Sequence, residues 1–197
     1  MQGHECGAGL SGVNSAAKPS VLTLISLNAR SLVNKLRDFE AEILDRFGLP
    51  PIICVTETWL TASIPDSFLP VNLYQVFRRD RVDRPGGGVC ILIRRGISCH
   101  VCELGDCSNA EMLCVKVKYG SKNFVVCVAY RNSVADTDTM AVYRSVLQAS
   151  TKLSIPLLIT GDFNLPDVRW NTCQASARFR QAEFLQLFTE FGFRQYV

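Results

Sequence analysis

The feature that most constrains the fold is a series of short apolar runs: Pro51–Val55, Val89–Ile93, Phe124–Ala129 and Pro156–Thr160. Each is too short for an ordinary helix. When pleated, each is apolar on both faces, the pattern of a strand covered on both sides. Strands of that kind imply stacked layers rather than one sheet with a wet face.

The segments between them carry two different periods. Leu32, Leu36, Phe39, Ile43 and Phe47 recur at spacings of three and four, an amphipathic helix with Ser31 as N-cap and Gly48 and Pro50 as its stop. A second helix is expected over Thr137–Leu153, with Tyr143, Val146 and Leu147 on one face. A third is expected after Ser176 as its cap, with Phe184, Leu187, Phe188 and Phe191 as its stripe. Val21–Leu27 and Tyr74–Phe77 read as strands, and Glu111–Tyr119 with Asn123–Tyr130 as a hairpin across Gly120-Ser121. Strands thus occur both in hairpins and beside helices. The expected class is α+β, two stacked sheets with helices outside, rather than a βαβαβ alternation. Residues 1–20 are rich in Gly, Ser and Ala without periodicity and are expected to be a disordered tail, leaving 21–197 as one domain.

Composition excludes several classes. With 48% apolar and 20% charged residues the chain is globular. A net charge of +3 permits a nucleic-acid partner without arguing for one. No apolar run approaches the roughly 20 residues needed to span a bilayer, so no membrane partner is expected. The nine cysteines are odd in number, and Cys54, Cys90, Cys114 and Cys127 lie inside apolar runs as small hydrophobes. Without a secretory signal in Met1–Ser20, this implies a reducing compartment, nuclear or cytoplasmic, and no disulfide-linked partner.

Four apolar runs end alike. Leu24–Leu27 leads into Asn28, Ile52–Val55 into Thr56-Glu57, Phe124–Ala129 into Tyr130-Arg131, and Leu157–Thr160 into Gly161-Asp162-Phe163-Asn164. Buried strands that share an end bring their terminal side chains together. An amide, a carboxylate, a phenol and a carboxylate–amide pair suit a hard cation and a phosphate. In this reading Glu57 is the direct metal ligand. Asp162 orients or deprotonates water, Asn164 donates to a phosphate oxygen, and Tyr130 offers its hydroxyl. If the stretch after Gly161 stays extended, Asp162 and Asn164 point to one face.

These segments resemble a known family. Leu27-Asn28-Ala29-Arg30-Ser31-Leu32, Thr56-Glu57-Thr58-Trp59-Leu60, Arg79-Asp80-Arg81 before Gly86-Gly87-Gly88-Val89, Ala129-Tyr130-Arg131 and Gly161-Asp162-Phe163-Asn164-Leu165-Pro166 resemble the endonuclease/exonuclease/phosphatase superfamily, in this order along the chain. The wording, with Asp167-Val168-Arg169-Trp170, is most similar to the endonuclease domains of non-LTR (LINE-type) retrotransposon polyproteins. The resemblance implies a four-layer α/β/β/α sandwich (DNase I-like) and Mg²⁺-dependent nicking of DNA, with Mn²⁺ able to substitute. In such elements the nick exposes a 3′-hydroxyl that primes a reverse transcriptase carried in cis. Matched by motif, Asn28 and Glu57 belong to the metal site and Tyr130, Asp162 and Asn164 to catalysis. Arg131, Arg79 and Arg81 are expected to bind substrate.

The family pattern also closes with an Asp-bearing strand and a Ser-Asp-His motif. Neither lies in this sequence, whose two histidines are His4 and His100. The expectation is a domain lacking its C-terminal strands and weak or inactive as it stands, because removing one member of a group that works as a unit removes most of the rate. The alternatives are a non-catalytic retroelement remnant and a phosphatase or apurinic-site nuclease of the same superfamily. Gly86-Gly87-Gly88 precedes a strand and no Lys-Ser/Thr follows, which makes it a turn rather than a phosphate loop. The cluster Arg78, Arg79, Arg81 and Arg84, interrupted by Asp80 and Asp83, suits either a DNA backbone or a solvated loop with internal ion pairs. Cys99, His100, Cys102 and Cys107 lack a second paired half and make no zinc site. Trp59 and Trp170 suit either a role at the cleft or packing, of which packing is the safer assignment.

Overall fold

A computed structural model describes residues 21–107, 110–132, 137–172, 174–175 and 181–196. The expected tail over 1–20 and the expected cap Ser176 lie outside them.

Eight strands form two four-stranded sheets. The first contains β1 (Leu24–Asn28), β2 (Ile52–Thr56), β3 (Tyr74–Arg79) and β4 (Val89–Arg94), in the order β1-β2-β4-β3. The second contains β5 (Ser98–Val101), β6 (Glu111–Tyr119), β7 (Lys122–Tyr130) and β8 (Leu157–Asp162), in sequential order. The hairpin β6–β7 turns at Gly120-Ser121, as its sequence predicts. Each sheet also holds one parallel pair, β1–β2 and β7–β8. Parallel neighbours need a crossover. The first crossover carries α1 (Leu36–Glu40) with a π-helical turn at Ala41–Asp45, and the second carries α2 (Thr137–Ser150).

The apolar residues sort into three layers, which makes the architecture a four-layer α/β/β/α sandwich. Ile52, Cys54, Ile91, Ile93, Val115, Val117, Val126 and Val128 fill the space between the sheets. Phe39 and Ile43 pack on the outer face of the first sheet against Ile53, Val55 and Leu92. Tyr143, Val146 and Leu147 of α2, with Phe184 and Leu187 of α3 (Gln181–Glu190), cover the outer face of the second. Central strands are therefore covered on both faces; β2 is wholly buried. Each such Ile or Val side chain contributes about 1.5–3 kcal/mol.

Three expectations change. Ser31 does not cap a helix: its φ is +83° and the helix starts at Leu36. The backbone amides of Ala29, Ser31 and Leu32 instead donate to the carbonyls of Thr56, Glu57 and Thr58 at 2.9 Å, so the segment is stitched to the end of β2. Phe47 is 52% exposed because the π turn shifts the register of the helical stripe after Ile43. β8, expected to be buried, is an edge strand with β7 as its one described neighbour, and Leu158 is exposed. Among the described residues no helix is long and apolar enough to cross a membrane. The seven described cysteines are free thiols.

Candidate active site

The two parallel pairs place the site. Parallel strands finish at the same end, and the register sets Asn28 beside Thr56 in one sheet and Tyr130 beside Asp162 in the other. Stacking then brings the two ends together. The Asn28 side-chain amide donates to Glu57 Oε1 and to Asp162 Oδ2, both at 2.7 Å. One neutral amide thus bridges two carboxylates from different sheets. Neither carboxylate has an ion pair among the described residues.

The backbone around this bridge is contorted in a consistent place. Arg30, Ser31, Glu57, Trp59 and Asn164 are the described non-glycine residues with positive φ. All follow β1, β2 or β8. Such conformations cost about 1–3 kcal/mol each and persist where the surroundings over-determine them. Here the surroundings are visible. Beyond β2, Thr58 and Trp59 keep donating to the carbonyls of Gly88 and Gly87 at 3.3 and 2.9 Å. A Cβ on Gly87 would lie 2.3 Å from Glu111 Oε2, and one on Gly88 2.6 Å from Thr58 Oγ1. The glycine triplet is a turn, as expected, and at Gly87 and Gly88, though not at Gly86, a Cβ would also have to displace side chains beside the site.

Asp162 and Asn164 do not share one face of an extended segment. Gly161 has φ +138° and Asn164 φ +49°, so the chain turns. The Asn164 backbone amide donates to Asp162 Oδ1 at 3.0 Å, and its side-chain amide donates to the Arg131 carbonyl. Asp162 is therefore held from two sides, by Asn28 and by its own turn.

Tyr130 sits between the carboxylates and a guanidinium. Burial, then the negative charge of Glu57, raises its phenol above the usual range, while Arg81 lowers it. The Arg81 guanidinium lies 5.7 Å over the Tyr130 ring. The hydroxyl stays protonated at neutral pH and is a donor.

The arginines separate into different roles. Arg131, expected to bind substrate, is 4% exposed and turned inward. It donates to the carbonyls of Phe163 and Asn164 at 3.1 and 3.2 Å and lies over the Phe184 ring. It holds the 162–164 turn rather than facing the cleft. Arg81 pairs with Glu111 through two nitrogens, and Glu111 also accepts from Gly88 N. Arg79 donates to the Met112 carbonyl and to Cys107 Sγ. Arg78 pairs with Asp66 and Asp80. Of the two readings of the basic cluster, internal ion pairing describes Arg78 and Arg81. Arg79, Arg81, Arg84 and Glu111 still line one open cleft of roughly 430 Å³ beside the site.

Sequence reasoning missed Glu111 and, for Trp59, preferred packing over the cleft. Glu111 opens an alternating strand like any exposed carboxylate; only the register that sets it opposite Tyr130 reveals it. Trp59, assigned to packing, is 43% exposed, with its indole N–H 3.4 Å from Glu57 Oε2.

The residues present fit a divalent cation. Two carboxylates without a counter-cation supply hard oxygen donors, and Mg²⁺ typically takes one or two carboxylates and keeps water. The Asn28 amide turns its NH2 to them while its oxygen accepts from the Arg30 backbone N–H at 3.1 Å. No group of three or more His, Cys, Asp or Glu able to hold a metal occurs among the described residues, so a cage built entirely from such side chains is excluded there.

The layered fold and a paired-carboxylate cleft at its strand ends define a class, and the sequence match agrees: residues 25–196 match the Endonuclease/Exonuclease/phosphatase family, and the chain belongs to it. Solved structures with the same DNase I-like fold include the endonuclease domain of TRAS1, a telomere-specific non-LTR retrotransposon. It has 11% identity over 88% of this chain and 75% of that one, with a TM-score of 0.61. An AP endonuclease from Archaeoglobus fulgidus has 15% identity over 86% and 70%, with a TM-score of 0.62. A 3′ phosphatase from Neisseria bound to a product DNA hairpin has 14% identity over 87% and 71%, with a TM-score of 0.61. No curated protein matches.

Proposed function

We propose that the chain is a Mg²⁺-dependent DNA phosphodiesterase of the retroelement target-nicking kind. The observation that carries this reading is the Asn28 amide bridging the Glu57 and Asp162 carboxylates, which leaves two negative charges to be met by a cation. Glu57 and Asn28 would hold Mg²⁺, or Mn²⁺ in its place. The ion supplies neutralisation of the phosphate and stabilisation of the leaving oxygen. Asp162, fixed by Asn28 and by the Asn164 backbone, accepts a proton from the attacking water. Tyr130 donates its hydroxyl to a non-bridging oxygen. One hydrogen of the Asn164 amide is spent on the Arg131 carbonyl, and the other remains for the phosphate. Arg131 positions this turn without touching substrate. Arg79, Arg81 and the exposed Arg84 line the neighbouring cleft together with Asp80, Asp83 and Glu111, so its lining is of mixed charge. A reverse transcriptase in the same polypeptide is the expected companion.

Turnover by these 197 residues is expected to be slow. The one described histidine, His100, is exposed on β5, two strands away from β7 in the second sheet. Among the described residues no histidine is at hand to share the acid–base work with Asp162. The test is conversion of supercoiled plasmid to open circle at enzyme excess with Mg²⁺. The expected result is slow nicking, stopped by chelation and reduced at least ~10³-fold by Asp162→Ala. Complete absence of Mg²⁺-dependent nicking, or nicking indifferent to Asp162→Ala, refutes the assignment. Rapid multiple turnover refutes the slow-turnover reading. Oligonucleotides with an abasic site or a 3′-phosphate, run alongside, separate target nicking from the repair chemistries named in the similar structures.

A further inference from the structure

The geometry points to Trp59 as a positioning residue for the Glu57 carboxylate, an inference that rests on the metal reading of the site. Glu57 Oε1 accepts from Asn28 at 2.7 Å, and Oε2 faces the Trp59 indole N–H at 3.4 Å. Both oxygens are thus engaged, and the carboxylate has one orientation available rather than a freely turning plane. The indole is itself fixed. Trp59 has φ +56°, and its backbone amide donates to the Gly87 carbonyl at 2.9 Å. Its ring rests on Gly86, where a Cβ would approach Nε1 to 3.5 Å and Cε2 to 3.7 Å. A tryptophan 43% exposed adds little to a core, and nothing in the packing of either sheet calls for one here. Its polar edge is what the site uses. Residues that orient a metal ligand through a hydrogen bond typically change metal affinity by 10–100-fold when removed. The long N···O separation places Trp59 at the lower end of that range.

The indole is also a reporter. A cation arriving at Glu57 draws on the oxygen that the N–H faces, so indole emission shifts with occupancy. The experiment is Mg²⁺ titration of the full chain by calorimetry and by tryptophan fluorescence, for wild type, Trp59→Phe and Glu57→Gln. Trp59→Phe is expected to weaken Mg²⁺ about ten-fold. It should also abolish the Mg²⁺-dependent emission change and leave metal-free thermal unfolding close to wild type. Glu57→Gln is expected to abolish binding. Wild-type Mg²⁺ affinity in Trp59→Phe, with binding lost in Glu57→Gln, overturns the role of Trp59 while the metal assignment stands. So does calorimetric saturation of the wild type without an emission change. Unchanged affinity in Glu57→Gln overturns both.

Discussion

Gly161→Ala tests whether the active-site turn depends on backbone contact rather than on side-chain chemistry. Gly161 pairs with Ala129 across β7–β8 at φ +138°. A Cβ there would lie 1.9 Å from the Ala129 carbonyl oxygen, 2.9 Å from its carbon and 3.0 Å from its nitrogen. Non-bonded carbon and oxygen rarely approach closer than about 3.3 Å, so the strands must part by roughly 1.4 Å. No flexible side chain can absorb this; the obstacle is the ladder itself. Parting disrupts the Arg131 N–H to Asp162 carbonyl bond of 2.9 Å and its neighbour, at about 1 kcal/mol each. Holding alanine at that φ adds about 1–3 kcal/mol. The expected loss is about 3–5 kcal/mol, a fall in melting temperature of roughly 6–20 °C for a chain of this size. Gly120→Ala is the control. Its φ is +62° in open space, with nothing within 4 Å of the new Cβ, so it carries conformational strain alone, about 1–2 kcal/mol. Thermal unfolding followed by circular dichroism compares the two. If Gly161→Ala melts within a degree or so of Gly120→Ala, the steric argument is wrong.

Three further outcomes follow from the same geometry. Glu111→Gln should cost about 2–3 kcal/mol in urea unfolding, because the mostly buried Arg81 loses its counter-charge; a loss under about 0.5 kcal/mol would show that the pair is idle. Stability should hold to about pH 8.5 and then fall, since burial raises the thiols of Cys54 and Cys90, the hydrogen bond with Cys114 and then burial raise that of Cys127, and burial raises the phenols of Tyr74 (to about 12), Tyr130 and Tyr143. Raised folded values mean the unfolded chain releases protons first, so the thiols act above about pH 8.5 and the phenols above about pH 10; reduced protein whose urea midpoint is flat to pH 10.5 contradicts this. Asn28→Ala should leave the fold in place, as Asn28 is exposed, yet weaken Mg²⁺ binding about ten-fold by calorimetry; unchanged affinity would show that the bridge does not shape the site.

How much was legible depended on whether the determinant was local. The hairpin over Glu111–Tyr130, the apolar β2 and the Tyr143–Leu147 face were readable because period and turn chemistry are written within a few residues. The helix start was misplaced because the amides after Ser31 bond to carbonyls some 26 residues away, which no capping rule anticipates. Arg131 was misread for a similar reason. Its position beside Tyr130 suggested the cleft, whereas the buried carbonyls of Phe163 and Asn164 and the Phe184 ring draw it inward.

By itself the sequence determined the chemical inventory and its placement at strand ends: Asn28, Glu57, Tyr130 and Asp162 each close an apolar run. Hydrophobic periodicity requires that strands be buried and that polar residues mark where they emerge. Only the tertiary structure decided which ends meet and what each polar group does there. Asn28 and Asp162 are 134 positions apart in the chain, and their 2.7 Å contact exists because two sheets stack with their parallel pairs pointing the same way. Stacking also chose Glu111 as the partner of Arg81, left Trp59 at the mouth beside Glu57, and turned Arg131 away from it. Such contacts depend on register and layer geometry, which many sequences share and no short segment encodes.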